Sequence, residues 1–195
     1  MPSLLTDTRR AMLLTLDDGT IAHARPAAVK DLPLIDDLHS RCSTGSLTAC
    51  YGGHLPGFTS MEWRRRADSP RHCVLLVTPA GSDGVVAMAS MTESPDAPDT
   101  CEMKLLVADR SEASFQSRGL GTALAGLVAD LARDTGFASL AVSLSWANWR
   151  MLLIVEHLGG PVLPQTSYVR NMAMLGLVPN RGLDVADAID LRIVL

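Results

Sequence analysis

The sequence has no surplus of positive charge. Its 195 residues include 17 Lys and Arg against 21 Asp and Glu, which gives a formal net charge of −4 at pH 7. Proteins that hold a nucleic-acid backbone do so mainly through clustered cations. This charge balance gives no overall electrostatic basis for such binding, and no nucleic-acid partner is expected.

Long hydrophobic runs and closely spaced metal ligands are also lacking. No stretch approaches the ~20 apolar residues of a membrane-spanning helix, and the apolar patch at residues 11–16 is shorter than a signal-peptide core. The five histidines have no i, i+4 spacing, and no CxxC pair occurs among the four cysteines, Cys42, Cys50, Cys73 and Cys101. These absences predict a cytoplasmic chain with reduced thiols, no membrane partner and no metal.

The composition that remains is typical of a folded domain. Hydrophobic residues make up 47% of the chain and charged residues 19%, which separates it from disordered sequences. Its length corresponds to one domain, and no repeat or low-complexity linker divides it. We interpret residues 20–195 as a single domain, preceded by an N-terminal arm over residues 1–19 for which the sequence permits disorder.

Apolar runs of strand length and helical length alternate along the chain, which predicts a mixed α/β fold. Breaks at Gly, Pro and Asp separate these runs. The predicted helices lie at residues 30–41 and 60–67, after the segment 116–123 as far as a cap at Gly136, and at residues 148–158. The predicted strands lie at residues 20–25, 72–78, 85–91, 100–107, 139–146, 168–178 and 188–195.

One acidic residue stands out in the predicted strand at 100–107. Successive side chains of a strand point to opposite faces. One face therefore carries Cys101, Met103, Leu105 and Val107, and the other carries Glu102, Lys104 and Leu106. Glu102 is then a carboxylate in an otherwise apolar sheet.

The segment 116–123 (Gln-Ser-Arg-Gly-Leu-Gly-Thr-Ala) opens directly into a helical pattern that ends at Gly136. The N-terminus of a helix carries unpaired N–H groups and a partial positive charge, which suit a phosphate. Glycines at 119 and 121 let the backbone approach such a ligand closely. The pattern indicates a pyrophosphate-binding loop, with ordinary turn formation as the alternative. The apolar face of the helix consists of Leu120, Leu124, Leu127, Val128 and Leu131.

Two motifs carry a family resemblance. Residues 116–121 match the pattern Gln/Arg-x-x-Gly-x-Gly/Ala, and Asn148 starts a predicted helix that ends at Leu158-Gly159. With these motifs in this order, the sequence resembles the GCN5-related N-acetyltransferase (GNAT) superfamily from about residue 20 onward. The segments 24–26, 41–43 and 101–102 resemble bacterial protein lysine acetyltransferases. The resemblance implies an α/β (α+β) fold with a central, splayed mixed sheet of about six to seven strands and about four helices.

The resemblance also implies a cofactor site. Acetyl-CoA would be the co-substrate and would lie where two strands of the sheet diverge. Backbone amides at Leu106 and Val107 would face its pantetheine and acetyl group, Asn148 would contact the pantetheine, and Glu102 corresponds to a general base. The residues implied to surround the diphosphate are Gln116, Ser117, Arg118, Gly119, Leu120, Gly121 and Thr122.

The implied chemistry needs few side chains. A primary amine with a pKa of about 10.4 is protonated at pH 7, so a base must remove a proton before the amine attacks a thioester. A partly desolvated carboxylate such as Glu102 suits this task. The structural alternative is that Glu102 pairs with an arginine.

Three departures from the family pattern keep a second function open. Val155 stands where the family often has a Tyr that protonates the departing thiolate, residues 110–113 look like an insertion, and Gly160 replaces an aromatic. Tyr51 and Tyr168 are the candidate substitutes for the missing acid. The sequence thus predicts an N-acetyltransferase that acts on a primary amine, with an acyl-CoA-binding sensor or regulatory module as the alternative.

The acceptor is implied only as a chemical class. It is a primary amine, either a protein lysine or a small molecule, and residues 41–58 carry no charge pattern that identifies it. The apolar tail at residues 168–178 and 188–195 leaves a homodimer open.

Overall fold

A single mixed sheet forms the centre of the fold. The computed structural model describes residues 11–51, 71–110, 115–145, 148–159, 162–164 and 188–195. In chain order the strands in these ranges are β1 (Met12–Thr15), β2 (Ile21–Pro26), β3 (His72–Pro79), β4 (Ala87–Ser94), β5 (Ala97–Val107), β6 (Ser139–Ser145), β7 (Val162–Pro164) and β8 (Ala188–Val194). Their spatial order is β1-β2-β3-β4-β5-β6-β8-β7. Every neighbouring pair is antiparallel except β5 and β6, which are parallel.

Helices cover both faces of this sheet. The described α-helices are α1 (Leu32–Ser40), which follows a 3-10 turn at Val29–Asp31, α2 (Thr44–Tyr51), α3 (Leu120–Thr135) and α4 (Trp149–His157). The predicted class of fold, a mixed sheet flanked by helices, is confirmed, and the described residues form eight strands rather than the six to seven expected. The predicted helix at 60–67 and the predicted strand at 168–178 lie outside the described residues. No helix within the described ranges is long and apolar enough to cross a membrane.

The sequence analysis did not predict β1 or β7. β1 lies inside the segment interpreted as an N-terminal arm, and that interpretation is corrected for residues 12–16. Four of these residues pair with β2, and the side chains of Leu14 and Leu16 are buried in the core. A four-residue strand is too short to give a clear alternating pattern, so β1 can be recognised only from its pairing with β2.

The sheet separates two hydrophobic cores. On one face, α3 buries Leu120, Leu124, Val128 and Leu131, with Leu127 partly buried beside them. Burial of each such side chain stabilises the fold by about 1.5–3 kcal/mol. On the other face, Ile35 and Leu38 of α1 pack with Leu106 of β5. The alternation predicted for β5 is confirmed, because Cys101 and Met103 belong to the first core.

Asp109 ties the end of β5 to the loop between α1 and α2. One carboxylate oxygen accepts a hydrogen bond from the Ser43 backbone N–H at 2.6 Å. The other accepts the hydroxyls of Ser43 at 2.5 Å and Ser46 at 2.6 Å. Burial opposes ionisation of Asp109, but hydrogen bonds from the two serines outweigh it and lower the pKa of the carboxyl group.

We expect Asp109→Asn to lower the free energy of unfolding by about 1–3 kcal/mol at neutral pH, because the substitution removes the charge from a carboxylate that accepts three hydrogen bonds. The folded-state pKa of Asp109 is lowered from 3.8. The contribution of the charge is therefore present above the unfolded pKa and is lost as the pH falls through the folded one. Urea titrations at about pH 7, 5 and 3 measure this: the difference from wild type should be constant at the two higher values, which lie above the unfolded pKa, and smaller at the lowest, which lies below it. A difference independent of pH would show that the charge is not responsible.

Candidate active site

The two parallel strands at the centre of the sheet diverge early. β5 and β6 pair at only three positions: Thr100 with Ser139, Cys101 with Leu140 and Glu102 with Ala141. Beyond them β5 continues to Val107 alongside β4, and β6 continues to Ser145 alongside β8. The strands therefore enclose a wedge whose backbone groups do not pair across it, which is the splayed sheet that the family resemblance implied.

The loop predicted to bind pyrophosphate leads into α3 as expected. Gly119 is the N-cap residue, with φ of +78°, and Ser117 has φ of +63°. The first helical hydrogen bond runs from the Ala123 N–H to the Gly119 carbonyl at 2.9 Å. The N–H groups of Leu120, Gly121 and Thr122 thus precede the helical ladder, where an anion is favoured.

Side-chain contacts place this loop at the mouth of the wedge. Gln116 Nε2 donates to the Val107 carbonyl at the end of β5 at 3.2 Å. Arg150 of α4, the helix that follows β6, donates to Gln116 Oε1. A Cβ added at Gly121 would meet Ile154 Cδ1 of α4 at 2.9 Å. The loop therefore spans the space between the end of β5 and the helix after β6.

The backbone groups of Leu106 and Val107, the two residues implied to face the cofactor, point in opposite directions because successive residues of a strand alternate. The Ala108 N–H donates toward β4, to the Val86 carbonyl at 2.9 Å, while the Val107 carbonyl accepts from Gln116. The backbone N–H and C=O groups of Val107 thus point into the wedge, and those of Leu106 point toward β4. The same alternation turns Leu105 to the wedge. The geometry favours Leu105 and Val107 over Leu106 as N–H donors.

Asn148 has a structural task at the start of α4. It is the N-cap residue, and its Oδ1 accepts a hydrogen bond from the Met151 N–H at 3.2 Å. An Asn side chain also has two amide N–H donors, and this cap does not use them. The capping role and the implied contact with the cofactor are therefore compatible.

Glu102 lies where the wedge begins. It is paired with Ala141 at the last rung of the β5–β6 ladder, and its side chain is partly buried. By alternation it projects to the same face as Leu106, the face of α1 and α2, opposite to α3. No ion pair joins Glu102 to an arginine within the described part of the chain. The alternative structural role is thus not observed there.

The structure does not supply the missing acid at position 155. Val155 is buried in the core beside α3. Tyr51 lies on the other face, with its hydroxyl 2.9 Å from His39 Nε2 and 3.7 Å from Met88 Sδ. Burial raises the pKa of Tyr51, which makes it a poorer proton donor. Tyr168, Gly160 and residues 111–114 lie outside the described residues.

The sequence analysis missed a contact between the turn after β1 and the loop. The Asp17 N–H donates to the Arg118 carbonyl at 3.0 Å, and Asp18 forms an ion pair with Arg118 at 3.3 Å. A Cβ added at Gly119 would lie 2.4 Å from an oxygen of the Asp17 carboxylate. About a hundred residues separate these partners, so no local motif signals the contact.

Among the described residues, no group of three or more His, Cys, Asp or Glu side chains is placed to hold a metal ion. The donors at the mouth of the wedge are backbone N–H groups and amide or guanidinium nitrogens, which suit anions. The chemistry that the site supports is therefore anion binding beside a carboxylate.

The chain has the same fold as solved acetyltransferases of the GNAT family, which is the fold that the sequence resemblance implied. No protein-family model and no curated protein sequence matches the chain. It is similar to the solved GNAT domain of S. lividans PAT, with 19% identity and a TM-score of 0.72 over 100% of this chain and 99% of that one.

Two other solved acetyltransferases have the same fold. Spermidine N-acetyltransferase from Vibrio cholerae, solved with CoA and spermine, is 13% identical with a TM-score of 0.63, over 89% of this chain and 95% of that one. Ribosomal-protein-alanine N-acetyltransferase from Brucella melitensis is 18% identical with a TM-score of 0.60, over 88% and 99%. At these identities the likeness shows the fold.

Two glycines with positive φ allow a matched test of the loop. Gly136 has φ of +88° and open space where a Cβ would lie, whereas a Cβ at Gly119 would displace the Asp17 carboxylate. We expect Gly136→Ala to cost about 1–2 kcal/mol of stability from backbone strain alone. Gly119→Ala should cost more, because the Asp17 carboxylate must also move, and urea unfolding of both variants measures the difference. Equal losses of stability from the two substitutions would contradict this account of Gly119.

The two tasks of Asn148 can be separated by substitution. We expect Asn148→Ser to keep the helix cap and to leave stability within about 0.5 kcal/mol of wild type, whereas Asn148→Ala should lose about 1 kcal/mol. Both variants lack the amide N–H donors, so both should bind CoA more weakly. If Asn148→Ser binds CoA as tightly as wild type, Asn148 is only a cap.

Proposed function

We propose that the chain is an N-acetyltransferase that moves an acetyl group from acetyl-CoA to a primary amine. The observation that carries this proposal is that backbone N–H donors and a carboxylate lie around the same opening in the sheet. The N-terminus of α3, on one face, offers N–H groups to an anion. Glu102, on the opposite face, offers a carboxylate at the point where β5 and β6 part.

The diphosphate of CoA would bind at the loop before α3. The N–H groups of Leu120, Gly121 and Thr122 precede the helical ladder, and hydrogen bonds to a charged group contribute about 1.5–3 kcal/mol each. The helix dipole adds about 0.3–1 kcal/mol for an anion there. Gln116, Ser117, Arg118 and Gly119 complete the loop, and Asn148 would donate to the pantetheine.

The reaction we propose is a direct transfer. Glu102 accepts a proton as the amine nitrogen attacks the carbonyl carbon of the thioester. A backbone N–H of β5 that points into the wedge, from Leu105 or Val107, stabilises the negative charge on the oxygen. This attack forms the C–N bond, and collapse of the oxyanion then breaks the C–S bond. The thiolate takes its proton from water because Val155 offers none, and the proton held by Glu102 returns to solvent, where it neutralises the hydroxide that is left.

The acceptor would approach from the face of α1 and α2. The neighbours of Glu102 there include Thr92, its partner on β4, and Lys104, whose Nζ lies 5.8 Å from the centre of the Tyr51 ring. We infer a protein lysine or a small-molecule amine. The sequence segments that resemble protein lysine acetyltransferases favour the lysine.

A second candidate function rests on Val155. Its burial in the core leaves that position without a proton donor, which favours an acyl-CoA-binding sensor or regulatory module over an enzyme. Such a module would bind CoA but release no thiol with any amine.

The role of Glu102 can be tested with a control on the same pair of strands. We expect Glu102→Gln to lower kcat by about 10²- to 10⁴-fold, because the general base is lost, while CoA binding stays unchanged. Glu93, on β4, lies one residue beyond the partner of Glu102 and points to the other face, where it pairs with Arg71 at 3.1 Å. Glu93→Gln should keep wild-type activity.

The assay follows thiol release from acetyl-CoA with a lysine-containing peptide, spermidine and other small amines. If CoA binds tightly but no amine supports turnover, and Glu102→Gln changes nothing, the sensor function is favoured. If Glu102→Gln turns over as fast as wild type, the chain is an enzyme but Glu102 is not its general base.

A further inference from the structure

The turn between β1 and β2 lies against the loop that we propose binds CoA. Three contacts join them. The Asp17 N–H donates to the Arg118 carbonyl at 3.0 Å, the Asp18 carboxylate lies 3.3 Å from Arg118 Nη1, and the Asp17 carboxylate occupies the space where a side chain at Gly119 would lie, 2.4 Å from the Cβ position.

These contacts put negative charge where an anionic ligand would bind. Gly119 is the N-cap of α3, so the Asp17 carboxylate lies beside the positive end of the helix dipole. Such an arrangement stabilises the folded chain. A second anion at the same helix end would be repelled by the first.

The same turn also pairs with the Arg118 guanidinium, a cation of the loop. The Arg118 guanidinium is paired with Asp18 and lies 5.1 Å from the centre of the Phe115 ring. Hydrogen bonding to Thr20 lowers the pKa of Asp18, so its carboxylate stays ionised at neutral pH. Arg118 is thus already paired with a carboxylate before any ligand binds.

We propose that the acidic turn at Asp17 and Asp18 sets the affinity of the acyl-CoA loop by opposing the diphosphate. This inference rests on the proposed function, because it needs CoA to bind at that loop. The turn acts on acetyl-CoA and CoA alike, since both carry the same diphosphate. It therefore weakens product binding and favours release of CoA after transfer.

The test uses the full chain with Asp17→Asn, Asp18→Asn and the double variant. Calorimetry measures binding of CoA and of dephospho-CoA, which keeps the diphosphate but lacks the 3′-phosphate. We expect each single variant to bind both ligands about two- to fivefold more tightly at low salt. The gain should shrink at about 0.2 M salt, where exposed charges are screened.

A control at the other end of the same helix makes the same change in net charge. Asp134 is exposed in the last turn of α3, far from Gly119, and Asp134→Asn should leave both affinities unchanged. Asp17→Ser provides a second neutral variant, and thermal unfolding checks that each variant is folded. An exposed ion pair such as Asp18–Arg118 contributes little to stability, so Asp18→Asn should fold.

Three results would overturn the inference. If folded Asp17 and Asp18 variants bind CoA no more tightly than wild type, the turn only supports the loop structurally. A gain for CoA but not for dephospho-CoA would assign the effect to the 3′-phosphate. An equal gain from Asp134→Asn would make it a general charge effect. Failure of the proposed function looks different, because neither wild type nor any variant would then bind CoA.

Discussion

The fold depends on a ladder between β5 and β6 that stops after three residue pairs. Each strand keeps its outer neighbour, β4 or β8, so the sheet stays intact while its centre opens. Inside the opening, backbone N–H and C=O groups have no partner strand, and such groups need hydrogen bonds from elsewhere. Gln116 supplies one to the Val107 carbonyl, and a ligand with alternating amides is suited to supply others.

Packing on both sides holds the opening in shape. The end of β5 is tied to the α1–α2 loop through Asp109, and α4 is fixed by Met151 and Val155 in the core. Gly121 lets α3 and α4 meet closely at Ile154. The site is therefore formed by the fold before a ligand binds, which lowers the entropic cost of binding.

Much of this architecture could be predicted from local patterns. The helical spacing of Leu120, Leu124 and Val128 with Gly136 at its end locates α3 closely, and the Gln-x-x-Gly-x-Gly motif locates the loop. Other features need the register of distant segments. Which backbone groups of β5 face the wedge depends on its pairing with β4, and the contact of Asp17 with Gly119 joins residues about a hundred positions apart.

The opposite placement of the α3 N-terminus and Glu102 bears on the design of ligands. If the nucleotide enters from one side of the sheet and the amine from the other, a compound that covalently joins both must thread the gap between β5 and β6. Its linker has to be slim and roughly as long as the sheet is thick. A bulky or rigid joint would lodge on one surface, and only one half of the compound would reach its subsite.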